Sequence, residues 1–192
     1  MDTCSSNPLA QSLVDGHGRT ISYLRLSVTD RCNLRCFYCN TCTDYTFIPH
    51  DQILRYEECL QIIGLATRLG LSKVRLTGGE PLVRKDCVPF VERVLDQYPE
   101  VDLRMTTNGT LLAPEVKRLH KAGLERVNIS LDSLDRAKFA RITGRDLLPK
   151  VRKGVEACLQ EGVKVKINVV ALKGVNDHEL SDFLRLALDH TL

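Results

Sequence analysis

Four of the chain's eight cysteines, Cys32, Cys36, Cys39 and Cys42, crowd between positions 32 and 42. The first three are spaced CxxxCxxC, which suits a 4Fe–4S cluster, because thiolates are the usual cluster ligands. Three thiolates leave one iron without a protein ligand, open to bind and activate a small molecule. Structural zinc instead takes four ligands from separated pairs. Cys42 extends the run to CxxxCxxCxxC. A fourth thiolate there would close the last iron and restrict the cluster to electron transfer, and the run by itself leaves both readings open. Cys59, Cys87 and Cys158 fall inside helical patterns, where a free cysteine is a small core residue. Cys4 sits in a polar stretch and receives no role. The N-terminal residues carry no secretion signal, which argues against disulfides.

Other residues able to do chemistry fall in short runs: Thr77-Gly78-Gly79-Glu80-Pro81, Thr106-Thr107-Asn108-Gly109, Ser130-Leu131-Asp132-Ser133 and Lys173-Gly174-Val175-Asn176-Asp177. Paired glycines allow close backbone approach to a ligand. Glu80 and nearby carbonyls are expected to hold a ligand's ammonium group. Asp132 reads as a residue that orients backbone, and Asn176 or Asp177 as a helix cap. The five histidines are isolated, which suits surface or capping positions better than metal ligation.

Each run lies just past a segment that alternates apolar and polar residues, and five such segments read as strands: 23–28, 73–76, 102–106, 126–130 and 163–170. Helical patterns follow at 55–69, 86–97, 114–121, 135–142 with 148–161, and 177–190. Strands alternating with helices imply a parallel sheet. In the strands, Leu24, Leu26 and Val28 oppose Arg25 and Ser27, and Val74 and Leu76 oppose Arg75 and Thr77. Leu103 and Met105 oppose Arg104 and Thr106, Val127 and Ile129 oppose Asn128 and Ser130, and Val165 and Ile167 oppose Lys164 and Lys166. A doubly wound sheet would be apolar on both faces. One apolar and one cationic face predicts an α/β partial (βα) barrel with helices outside and a polar lumen that binds an anion. An open, half-solvated sheet is the alternative. In such barrels, loops at strand C-termini build the active site. Residues 1–20 are expected to be a loose tail and 21–192 a single core.

The 192 residues are 43% hydrophobic and 27% charged, enough to bury one core. A balance of 27 basic against 24 acidic residues, spread along the chain, points to neither nucleic acid nor a membrane surface. No apolar run approaches a membrane span. A soluble, cytoplasmic protein is expected.

A first-strand CxxxCxxC with an aromatic before the last cysteine, followed by GGEP after the second strand, resembles the radical S-adenosylmethionine (SAM) superfamily. The segments LRLSVTDRCNLRCFYC, VRLTGGEPLVRKD, TTNGTLL, KAGLERVNISLDSLD, ITGRD and VKINVVALKGVND narrow this further. Together they are similar to the GTP 3',8-cyclases of molybdenum-cofactor biosynthesis, from about residue 16 onward. The resemblance implies that Cys32, Cys36 and Cys39 hold the SAM-cleaving cluster. Tyr38, Gly79 and Ser130 match that family's SAM contacts, and Asn108 lies where another would form. Arg25, Arg75, Thr106 and Lys166 match its contacts to GTP, and all four lie on the face already assigned to the lumen.

The implied reaction uses one electron from an external donor to split SAM, and the resulting 5'-deoxyadenosyl radical takes a hydrogen from the GTP ribose. Two departures stand out. The family continues Met-Pro after the third cysteine, with a longer loop, where this chain has Asn40-Thr41-Cys42-Thr43. The family also has a sixth strand and a second three-cysteine cluster that binds GTP, beyond the five βα units found here. These 192 residues alone are therefore expected not to complete GTP cyclisation. A different radical SAM enzyme, an electron carrier closed by Cys42, and a truncated inactive relative are the rival readings. A homodimer stays open.

Overall fold

The computed structural model describes residues 12–39 and 46–190. Cys4, Cys42 and the departure at Asn40-Thr41-Cys42-Thr43 lie outside the described residues.

Period-two alternation produces five strands: β1 (Tyr23–Ser27), β2 (Lys73–Thr77), β3 (Asp102–Thr107), β4 (Arg126–Ser130) and β5 (Lys164–Asn168). Leu26, Val74, Leu76, Leu103, Met105, Val127, Ile129 and Val165 are all buried. Their opposite neighbours Arg25, Arg75, Thr106 and Lys166 are exposed or half-buried. The helices are α1 (Tyr56–Arg68), α2 (Cys87–Gln97), α3 (Val116–Lys121), α4 (Arg136–Thr143), α5 (Leu148–Gln160) and α6 (Leu180–His190). Ile63, Phe90, Val91, Leu119 and Val151 on these helices join the strand residues in one core. Cys59, Cys87 and Cys158 belong to it, as free buried thiols.

Every strand pairing is parallel, and strand order equals chain order, β1-β2-β3-β4-β5. Right-handed crossovers in an unreversed order send every helix to the same face. A doubly wound sheet would reverse direction partway across. The order excludes a doubly wound sheet and is that of a partial barrel, with the polar strand face left as a lumen. Among the described residues, β1 and β5 each pair on one side only.

β5 is shorter than its alternation predicts, for a hydrogen-bonding reason. Beyond Asn168 the backbone is claimed by loops: Val170 N–H donates to Asp132 Oδ1 and Val170 C=O accepts from Asn176 Nδ2. The described part of the N-terminal stretch forms a small turn. Val14 bridges Thr20, Asp15 Oδ1 accepts from the His17 and Arg19 amides, and Leu13 N–H reaches Leu69 C=O beyond α1. Among the described residues, no helix is long and apolar enough to cross a membrane.

Candidate active site

The β1–β2 pairing continues past the strand ends and sets up the cysteine loop. Val28 N–H donates to Thr77 C=O, Gly79 N–H to Thr29 C=O at 2.7 Å, and Glu80 N–H to Arg31 C=O at 2.8 Å. A Cβ on Gly79 would stand 2.3 Å from the Arg31 carbonyl oxygen, so only glycine lets the two loops close on each other. The far side of the cysteine loop is held by α4. Arg35 N–H donates to Thr143 C=O and Phe37 N–H to Ile142 C=O, filling carbonyls that a helix end leaves without partners. Gly144 ends α4 in a left-handed conformation, φ 68°, where a Cβ would crowd the Arg35 Cβ at 3.0 Å.

Cys32 and Cys36 are half-buried and Cys39 is exposed. Burial raises the Cys32 thiol and pushes Cys36 up to about 11. Both are therefore protonated at neutral pH until a metal displaces the proton. The three thiols are close enough to influence one another's ionisation. Among the described residues, no three such side chains converge as ligands of a single ion. Three thiols lining one cavity are the donor set that a 4Fe–4S cluster takes, each thiolate binding its own iron.

Cys32, Cys36, Cys39 and Tyr38 line a cavity of about 270 Å³ together with Gly79, Asn108 and Ser130. Thr106 opens into the same space from below. The structure therefore brings every residue nominated for the cluster and for SAM to one cavity. The Tyr38 hydroxyl donates to Asp132 Oδ2. Burial first, then that carboxylate, raises the Tyr38 phenol. Asp132 is itself buried, and its other oxygen holds Val170 N–H at 2.9 Å. The tip of the cysteine loop is thus tied to the ends of β4 and β5.

Arg25, Arg75 and Lys166 lie farther down the lumen. In register, Arg25 stands beside Arg75, which stands beside Arg104, while Thr106 stands beside Asn128, which stands beside Lys166. The Arg75 guanidinium sits 5.5 Å from the Tyr23 ring centroid. Arg75 Nε and Asn128 Oδ1 are buried without a hydrogen-bond partner. Buried polar atoms in native proteins are nearly always paired, so this face presents unmet donors and acceptors to a ligand.

Three expectations change. Glu80 is 0% exposed, and its carboxylate accepts from Thr107 Oγ1, Asn108 N and Leu82 N. Burial raises this carboxyl against those donors. The side chain is a clamp between the β2 and β3 ends and is closed to an ammonium ligand. Asn176 makes no side-chain cap. It is buried and bridges the Asp132 and Val170 carbonyls, while accepting from Leu172 N. The Asn108 carboxamide is also occupied. Its nitrogen donates to Cys32 Sγ and Asn33 Oδ1, and its oxygen accepts from Thr110 N and Oγ1.

Sequence reasoning missed Asn33, which also donates to Thr110 Oγ1. Its place inside the cysteine spacing was the available signal. Also missed was Glu179, buried and receiving Ser133 Oγ, Leu134 N and Lys138 Nζ. An acidic residue at a helix start is ordinary, so nothing in the pattern distinguished it.

The Radical SAM superfamily model matches residues 26–187. Curated relatives include the GTP 3',8-cyclase of Campylobacter curvus, 50% identical over 91% of this chain and 54% of its own length. That of Petrotoga mobilis is 49% identical over 94% of this chain and 56% of its own length. The chain spans about half the length of the curated relatives it matches. Among solved structures, SuiB from Streptococcus suis bound to S-adenosylmethionine superposes with a TM-score of 0.75. It is 19% identical, with 89% of this chain and 39% of that one covered. The anSMEcpe enzyme with bound AdoMet gives 0.71 at 19% identity, covering 88% and 49%. These two likenesses establish the fold, and the superfamily match covers most of the chain that builds the cysteine loop and its lumen. The chain belongs to the radical SAM superfamily.

Proposed function

We propose that this chain is the SAM-cleaving core of a GTP 3',8-cyclase, which converts GTP to a cyclic pyranopterin precursor in molybdenum-cofactor biosynthesis. One observation carries the reading: the cavity walled by Cys32, Cys36, Cys39, Gly79 and Ser130 opens, at Thr106, toward a cationic lumen face with unmatched polar atoms. Three curated relatives, 44–50% identical and matched over about half of their own length, are GTP 3',8-cyclases and support this substrate.

Membership brings the superfamily's 4Fe–4S cluster and SAM, which when bound would supply a 5'-deoxyadenosyl radical, the one electron from the reduced cluster being used to split SAM into that radical and methionine. Cys32, Cys36 and Cys39 hold the cluster. Tyr38, Gly79 and Ser130 line the SAM side, with Asn108 acting through Cys32. Arg25, Arg75 and Lys166 neutralise the triphosphate, and Thr106 fixes the nucleotide between them and the rim. Residues 21–192 act as one core in this reading. An external electron donor completes it, in the cytoplasm, where thiols stay reduced.

The test is anaerobic incubation of the reconstituted protein with SAM and a strong reductant, with 5'-deoxyadenosine measured by chromatography. We expect SAM cleavage and binding of GTP through its triphosphate. No SAM cleavage, together with no measurable GTP binding, would overturn the proposal.

A further inference from the structure

We propose that Arg104, Arg126 and Lys164 complete a row of cations across the lumen floor that binds the terminal phosphates of the nucleotide, so that the site discriminates by phosphate number. This rests on the nucleotide-binding reading above and extends it to residues which that reading leaves without a role.

The row follows from register. Arg25 pairs with Arg75 and Arg75 with Arg104. On the far strands Arg126 pairs with Lys164. Met105 pairs with Val127, so the residues immediately before them, Arg104 and Arg126, stand side by side. All five strands thus contribute an arginine or lysine at one level, on the face turned from the core. Adjacent strands lie about 4.8 Å apart. Like charges directly opposite one another in a sheet are destabilising. A row of five therefore needs a counter-charge.

The protein supplies little of it. Asp102, two residues before Arg104 on the same face, takes that guanidinium in a two-pronged contact at 2.9 Å and 2.5 Å. Arg104 holds the Asp102 carboxyl below its ordinary value, with Lys73 and Arg126 adding smaller effects. Arg126 therefore lies within electrostatic reach of the same corner. Among the described residues, no carboxylate comes within ion-pair distance of Arg25, Arg75, Arg126 or Lys164. Arg75 Nε, second in the row, is a buried donor with no partner. An ordinary solvated face would mix charge signs and would not bury an unmatched donor.

The position fits a polyphosphate chain. Ser130 lines the rim cavity and Arg126 lies four residues down the same strand, roughly 13 Å at the rise of a parallel strand. Between them the next level carries neutral Thr77, Thr106 and Asn128, with Lys166. A nucleotide with its sugar at the rim would pass its first phosphate at this middle level and reach the floor with its last ones. Arg25 and Arg75 alone could hold a short phosphate chain, whereas five side chains in a row suit a longer one.

The experiment is calorimetric titration of the purified chain with GTP, GDP, GMP and inorganic tripolyphosphate. Wild type is compared with Arg126→Gln and Lys164→Gln, and melting curves verify that each variant folds. The native protein should bind GTP more tightly than GDP and GDP more tightly than GMP. Each substitution should weaken GTP and tripolyphosphate about tenfold and leave GMP unchanged. Variants that bind GTP and tripolyphosphate as tightly as the native protein overturn the row. If tripolyphosphate binding responds to the substitutions while the reconstituted protein leaves SAM uncleaved, the row stands and the SAM-cleaving reading falls.

Discussion

The carboxamide of Asn108 donates to the sulfur of Cys32 across 3.6 Å, and the same nitrogen holds Asn33 Oδ1 at 2.8 Å. The Cys32 sulfur also accepts from Leu34 N–H. Residues after β3 thereby fix the first thiol of the cysteine loop. Hydrogen bonds to cluster sulfurs stabilise the more negative, reduced state, and so raise the reduction potential.

Replacing Asn108 with alanine should therefore shift the cluster to a more negative potential without lowering its iron content. Redox titration followed by electron paramagnetic resonance measures this. An unchanged potential would show that the contact only shapes the loop.

Alanine at Cys32, Cys36 or Cys39 should abolish cluster assembly after anaerobic reconstitution, whereas Cys42→Ala should retain it. Iron counting and the visible spectrum decide the matter. Loss of iron in Cys42→Ala with retention in Cys36→Ala would reassign the ligands.

Arg75→Ala removes a guanidinium whose Nε is already unmatched. A hydrogen bond to a charged group contributes about 1.5–3 kcal/mol. GTP affinity should fall about tenfold or more, while SAM binding at the rim stays as it was. Equal GTP affinity in calorimetry would remove Arg75 from the site.

Lys138→Met should destabilise the fold by about 3 kcal/mol, because it strands Glu179 in a buried setting. Burial raises the Glu179 carboxyl, but Lys138, Leu134 N–H and Ser133 Oγ outweigh it and hold the group below its ordinary value. A depressed carboxyl contributes its stability above the unfolded pKa, about 4.3, and loses it as pH falls through the folded value. The gap between wild type and Lys138→Met in denaturant melts should accordingly be full at pH 7 and narrow below about pH 4. A gap that stays constant into acid would show that Glu179 is not the group responsible.

The alternation of Arg75 with Val74 and Leu76, or of Lys166 with Val165 and Ile167, made the lumen face readable from sequence, because period two is local. The parallel order followed from strands alternating with helices. What stayed hidden depends on which loops meet. Glu80 reads as a ligand-facing carboxylate until Thr107 and Asn108 arrive from 27 and 28 residues away. Asn176 reads as a cap until Asp132 C=O reaches it across 44 residues. Short polar side chains serve caps, turns and bridges with the same atoms, so local pattern does not separate these roles.

The cation row has a kinetic side as well. A recessed, low-dielectric groove lined by one sign of charge concentrates field lines, and draws anions in faster than diffusion to a neutral surface would. The screening length shrinks from about 10 Å at 0.1 M salt to about 3 Å at 1 M. Raising ionic strength should therefore slow nucleotide capture steeply, while release, governed by short-range contacts already made, changes much less.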